Sequence, residues 1–171
     1  HHKRYIKIIY QTPYGTQEYN LKPYKIVFMN ENFYLASENT DERFKFTMLR
    51  LSQINEIELQ KDQFHHNPDI KDFIKHLQTP FPLYKPQFRE NLIDVAIHVD
   101  KDRAKFFRLK KYLPSQKEEE QENGSLIVSY KVTQEREMEE IIKKWIPYIK
   151  VISPVSLKEK IEKELRDYLN L

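Results

Sequence analysis

The chain contains no cysteine in 171 residues. That removes disulfide frameworks, thiolate nucleophiles and zinc ribbons together. Glycine is nearly as scarce, at 2, and no Gly-rich phosphate loop or nucleophile elbow is present. No pair of carboxylates sits in an apolar stretch that would shift a pKa, so an enzyme is not expected, and neither is a cofactor. No apolar run approaches the roughly 20 residues needed to span a bilayer, and no signal-peptide pattern opens the chain. A membrane partner is therefore not expected, and a cytoplasmic location suits the missing thiols. One-sided charge is also lacking. The formal net charge is +3 with an isoelectric point near 8.8, too little for nucleic-acid binding by global field, so any anion site must come from local clustering. His65-His66 beside Asp69 is read as a solvated pair, and His76 and His98 have no partner at ligand spacing, so no metal is expected.

What is present is aromatic bulk: 11 Tyr and 10 Phe within a 39% hydrophobic composition. These residues must carry much of the core, and the length leaves room for one large or two small domains. The opening His1-His2 is the pattern of a purification-tag remnant. Because a strand-like segment follows at once, a fragment of a longer protein is expected. Tyr5–Tyr10 reads as a strand, Gln11–Gly15 as a turn, Thr16–Leu21 as the return. Pro23 is expected to break the ladder before Tyr24–Met29. Asn30-Glu31-Asn32 then turns into Phe33–Ser37, followed by a strand over Arg43–Met48. Five short strands with tight returns predict a small antiparallel barrel over residues 1–60. Ser52–Leu59 admits one helical turn or a closing strand at Glu56–Gln60, with the strand preferred.

A helix over Pro68–Gln78 and a Pro-rich linker within Thr79–Glu90 fill residues 61–90. Residues 91–171 have another rhythm. A strand, Leu92–Val99, leads to a helix capped by Asp100 with Ala104, Phe107 and Leu109 inward. The strands Ser115–Gln121 and Ser125–Val132 flank Asn123-Gly124, the strongest hairpin signal in the sequence. Thr133 is positioned to cap the helix Gln134–Trp145, and Ile149–Ile152 is the last strand. A final helix, Val155–Leu169, has Leu157, Ile161, Leu165 and Leu169 along one stripe. The order β-α-β-β-α-β plus a helix predicts a ferredoxin-like module, giving an α+β chain overall.

The chemistry gathers in Asn32–Leu51. Strict alternation over Arg43–Met48 would set Arg43, Lys45 and Thr47 on one face and Phe44, Phe46 and Met48 on the other. Guanidinium and ammonium groups neutralise phosphate, and an adjacent Tyr34 can stack on a base or donate a hydrogen bond. The candidate anion site is Tyr34, Arg43, Lys45 and Arg50, where Arg50 joins only if a bulge intervenes near Leu49. The competing account is a solvated edge strand whose charges discourage pairing. Tyr10, Tyr14, Tyr19 and Tyr24 could form a stacking platform, and Tyr10 and Tyr24 are added to the candidate site on that ground, though such tyrosines more often fill a small barrel.

These segments resemble the WYL-domain family of bacterial regulators. Phe33-Tyr34-Leu35 stands where the family carries its signature Trp-Tyr-Leu. Lys22-Pro23-Tyr24 resembles the proline-containing lead-in to the strand before it, and Arg50-Leu51-Ser52-Gln53-Ile54 the segment that ends the barrel. Asn123-Gly124-Ser125-Leu126, Lys144-Trp145-Ile146 and Val151-Ile152-Ser153-Pro154 resemble the family's C-terminal extension, WCX. The resemblance covers essentially the whole chain. It implies an Sm-like or SH3-like barrel followed by a ferredoxin-like module, acting as the sensor part of a dimeric transcriptional regulator. The implied effector is single-stranded DNA or another nucleotide-type anion, with promoter DNA contacted only through an N-terminal helix-turn-helix that is not seen in this sequence. Two departures stand out. Phe33 replaces the signature Trp, and Thr47 stands at the middle Arg of the family's basic strand, offering one hydroxyl where Arg offers a charged fork. The alternative expectation is a homodimerisation and protein-interaction module that senses nothing.

Overall fold

Alternating β-branched and aromatic residues give the first half its strands, and the computed structural model arranges them as a curled antiparallel sheet. It describes residues 3–41, 43 and 45–171. His1, His2, the turn residue Glu42 and the Phe44 position of the expected alternation lie outside those residues. The chain divides into two units, residues 1–86 and 87–171, so the division falls inside the Pro-rich segment.

In the first unit the strands are β1 (Arg4–Thr12), β2 (Gly15–Met29), β3 (Asn32–Asn39), β4 (Phe46–Arg50) and β5 (Ile54–Gln63), in the order β4-β3-β2-β1-β5. The fifteen-residue β2 pairs with β1 through its first half and with β3 through its second. Pro23 does not break it. The register shifts between Pro23 and Lys25, a bulge that accommodates a residue with no N–H to donate. The bulge also breaks the strict alternation, so Leu21 and Ile26 both fall on the Leu35 side of the sheet, Leu21 in the core and Ile26 exposed. Asn30 and Glu31 turn the β2–β3 hairpin with φ of 45° and 61°, the left-handed pair of a type I′ turn. Ile6, Ile8, Leu21, Leu35 and Leu49 form the core, with Tyr10 and Tyr19 packed against it; Tyr14 is exposed at the hairpin tip.

Two strands differ from expectation at their ends. β3 continues through Ser37, Glu38 and Asn39, all buried, where a turn was expected from Glu38. β4 correspondingly starts at Phe46 rather than Arg43. A single 3-10 turn, Leu51–Gln53, joins it to β5, and the closing strand preferred on sequence extends from Ile54. α1 (Pro68–Lys75) has Asn67 as its cap, whose side chain accepts from the Asp69 N–H. Its Phe73 and the following Tyr84 pack on Phe46, with ring centroids 5.0 and 6.5 Å away.

The second unit contains β6 (Ile93–Val99), α2 (Lys101–Leu109), β7 (Lys117–Glu120), β8 (Leu126–Val132), α3 (Arg136–Trp145), β9 (Ile149–Ser153) and α4 (Val155–Leu169). The strand order β7-β8-β6-β9 with all neighbours antiparallel is the ferredoxin-like arrangement. Val95, Ile97, Val99, Val128, Tyr130 and Phe107 are among its buried core. Asp100 caps α2 as expected, accepting from the Asp102 N–H. Leu109 is 85% exposed rather than inward, because two residues beyond Phe107 turn about 200° around the helix. Thr133 does not cap α3, which starts at Arg136 after Glu135; Thr133 donates its N–H and its hydroxyl to the Glu137 carboxylate instead, each at 2.7 Å. On α4, Leu157 and Ile161 are buried, whereas Leu165 and Leu169 are exposed.

Candidate ligand-binding site

The β3–β4 ladder places the candidate residues at its two ends. Its register is regular from Tyr34 opposite Arg50 to Glu38 opposite Phe46. No bulge lies near Leu49, so alternation puts Arg50 on the side of Phe46 and Met48, away from Leu49 and the core. Four residue steps separate the ends, about 13 Å along the strand.

At the first end, Arg50 Nη2 donates to the Tyr34 hydroxyl at 3.4 Å, and the guanidinium carbon lies 5.8 Å from that ring's centroid. Tyr34 is buried. Tyr10 reaches the same residue through the backbone: its hydroxyl accepts from the Arg50 N–H at 3.2 Å and donates to Gln53 Oε1 at 2.5 Å. Burial holds the Tyr10 phenol above its ordinary value. Tyr10, Tyr34, Arg50 and Gln53 thus form one hydrogen-bonded cluster.

At the other end, Lys45 and Arg43 leave the chain just before β4. Lys45 lines a groove of about 420 Å³ with Tyr5, Lys22, Glu38, Asn39 and Thr40. Arg43 lines a second, of about 610 Å³, whose walls include Gln17, Tyr19, Asn20, Asp41 and Thr47. Asn39 and Thr40 belong to both. Arg43 pairs with Asp41, Nη2 to Oδ2 at 3.3 Å, and that hydrogen bond holds the Asp41 carboxyl below its usual value. Lys45 Nζ lies 6.0 Å from the Tyr84 ring. Thr47, at the position where the resemblance calls for arginine, faces the Arg43 groove.

Tyr24 stands behind the Lys45 groove. Its hydroxyl donates to Glu38 Oε2 at 3.0 Å and accepts from the Asn67 N–H at 2.8 Å. Burial, ahead of the Glu38 charge, keeps this phenol protonated far above neutrality. The buried Glu38 carboxylate also meets Lys22 Nζ at 3.3 Å, so its charge is balanced inside the wall. His66 stacks on Tyr24, with ring centroids 4.1 Å apart and planes 18° from parallel. Desolvation holds the imidazole below its ordinary value.

The six residues named from sequence therefore occupy three places: Tyr10, Tyr34 and Arg50 together, Tyr24 with Lys45 around Glu38, and Arg43 in the adjoining groove. Sequence reasoning missed Glu38, Asn39 and Thr40, which form the shared wall. Their polar run reads as a turn, and only the depth of β3 reveals Glu38 and Asn39 as strand, with Thr40 just past its end. Gln53 had no signal beyond its place after Arg50.

Comparison with known proteins identifies the families of the two halves. Residues 1–59 match the WYL domain family and residues 91–169 the WCX domain family. No curated protein matches the chain by sequence. Among solved structures, a CRISPR Cas-related protein is similar at 16% identity and a TM-score of 0.63, over 98% of this chain and 48% of that one. The proteasome accessory factor B/C of Arthrobacter aurescens is similar at 12% identity and a TM-score of 0.35, over 92% of this chain and 23% of that one. The chain thus spans less than half the length of either.

Proposed function

Carrying a WYL domain followed by a WCX domain, the chain belongs to the WYL-domain family, and from that premise we propose that it is the effector-sensing region of a transcriptional regulator. The effector in this reading is an anion of the nucleotide or single-stranded nucleic-acid class. The reading assigns the chain no catalytic step.

One observation carries the proposal. The grooves of Arg43 and Lys45 share Asn39 and Thr40, so two cations, with Lys22 behind them, surround a single polar wall. Tyr5 and Tyr19 line the same grooves and offer faces on which a base can stack. A phosphate entering here would exchange Arg43 from Asp41 onto itself, and the Asn39 side-chain amide supplies a neutral donor beside it, the Thr40 hydroxyl donating to Asn20 O at 3.1 Å. Thr47 in place of an arginine leaves that wall with a hydroxyl rather than a second guanidinium, which favours a short or weakly held ligand.

Binding of a fluorescein-labelled thymidine dodecamer, followed by anisotropy, tests the assignment. The double variant Arg43→Ala/Lys45→Ala is expected to bind about tenfold or more weakly, with a salt slope shallower by about 1.4, roughly 0.7 for each phosphate contact removed from a single strand. Arg50→Ala is the control for the other end of the ladder and is expected to change binding less. Equal affinity of the double variant and wild type, or no binding by wild type at low salt, contradicts the site.

A dimer belongs to the same proposal. Leu165, Tyr168 and Leu169 of α4 and Ile152 of β9 are exposed, and Ile152 and Leu165 line a groove of about 680 Å³. A second copy of the chain is the partner proposed for this surface.

A further inference from the structure

The two sheets present four edges, and three of them are protected against further pairing. β4 is only five residues long and ends in a 3-10 turn. β7 is four residues, Lys-Glu-Glu-Glu, all exposed and charged. β9 has α4 packed against it, with Leu157 and Ile161 buried. Short strands, charge and helical cover are the usual means of blunting an edge.

β5 is neither short nor covered by a helix, and the charges along its middle, Glu56 and Glu58, alternate with apolar residues instead of filling the strand as in β7. It is ten residues long, lies at the end of its sheet, and is exposed over most of its length. Register shifts at either end of its pairing with β1 leave Glu56–Leu59 as a regular stretch opposite Ile6–Ile9. Within that stretch every second residue turns its amide and carbonyl away from β1. Ile57 and Leu59 stand opposite the buried Ile8 and Ile6, yet they are 62% and 57% exposed. The apolar inner face of the sheet therefore continues to a rim with no further strand. Glu56 and Glu58 alternate onto the opposite face, and neither forms a salt bridge among the described residues.

We propose that the β5 edge accepts an extended peptide segment of a partner protein in which basic and apolar residues alternate. Such a strand would extend the sheet by main-chain hydrogen bonds, cover Ile57 and Leu59 with its apolar side chains, and set its Lys or Arg residues beside Glu56 and Glu58. The charges argue against a second copy of this chain. An antiparallel copy centred on Glu56, Ile57 or Glu58 would place a glutamate opposite a glutamate, which is destabilising. This inference is independent of the anion site.

A capped Lys-Val-Lys-Val-Lys-Val peptide is the probe, with Glu-Val-Glu-Val-Glu-Val as its charge mirror. Hydrogen exchange with and without the basic peptide is expected to gain protection at alternate amides within residues 54–60. Titration should give binding about tenfold weaker for Glu56→Lys/Glu58→Lys, equivalent to losing two cross-strand charge pairs. That variant should accept the acidic peptide instead, which also establishes that it is folded. No added protection in residues 54–60, protection confined elsewhere, or affinity indifferent to the charge reversal overturns the proposal. Self-association of wild type that is lost on blocking this edge overturns it as well.

Discussion

Gln116 satisfies more buried groups than any single alternation in the sequence suggests. It is buried, its Oε1 accepts from the Tyr112 N–H at 2.8 Å and the Tyr130 hydroxyl at 2.9 Å, and its Nε2 donates to Phe107 O at 3.0 Å. Burial keeps the Tyr130 phenol protonated far above neutrality, so it remains a donor throughout the accessible pH range. Gln116→Leu would leave these partners unsatisfied inside the core and is expected to cost roughly 2–4 kcal/mol, read from denaturant unfolding. His66 gives the pH dependence at this scale. Its folded pKa is depressed below 6.5, so the unfolded chain binds its proton first and stability falls as pH drops through and below that value. An NMR titration should place the His66 midpoint below 6.5, and His66→Phe, which keeps the stacked ring on Tyr24, should flatten the melting temperature between pH 7.5 and 5.5. A midpoint at or above 6.5 contradicts the burial argument.

At the scale of elements, α3 and α4 run parallel, tied at a constant offset by Glu135 with Ser156, Glu139 with Lys160, and Lys143 with Glu164 at 2.7 Å. The Glu164 hydrogen bond raises the Lys143 pKa. Lys143→Glu would gather three carboxylates there. Because these side chains are half exposed, the expected loss is roughly 1 kcal/mol, seen as a melting temperature a few degrees lower. Most elements were legible because period and punctuation agree: alternation in β1, Asn123-Gly124 between β7 and β8, Asp100 before α2 and Pro154 before α4. The misses have local causes. Pro23 reads as a break until the bulge beside it is known, Thr133 as a cap until Glu137 reaches back to it, and Leu109 as core although two residues past Phe107 set it on the far face of α2. The candidate site was less legible. Residue types pointed to Arg43, Lys45, Arg50 and three tyrosines, but their grouping depends on strand register, which sets Arg50 beside Tyr34 and leaves Lys45 and Arg43 beyond the other end of the β3–β4 ladder.

At the scale of the whole molecule, two units with separate cores allow sensing and assembly to reside in different halves of the chain. Among the described residues no helix is long and apolar enough to cross a membrane. The dimer proposed for the second unit predicts that sedimentation equilibrium gives twice the chain mass for wild type and the monomer mass for Leu165→Glu/Leu169→Glu; a monomeric wild type contradicts it. Oligonucleotide affinity of that variant should stay near wild type if the anion site lies wholly within the first unit. The most direct test of the central claim is a crystal structure of the chain bound to a short thymidine oligonucleotide. The account predicts a phosphate within hydrogen-bond reach of Arg43 and Lys45, against the wall of Asn39 and Thr40. A phosphate held by Arg50 and Tyr34 instead, with both grooves empty, would contradict it.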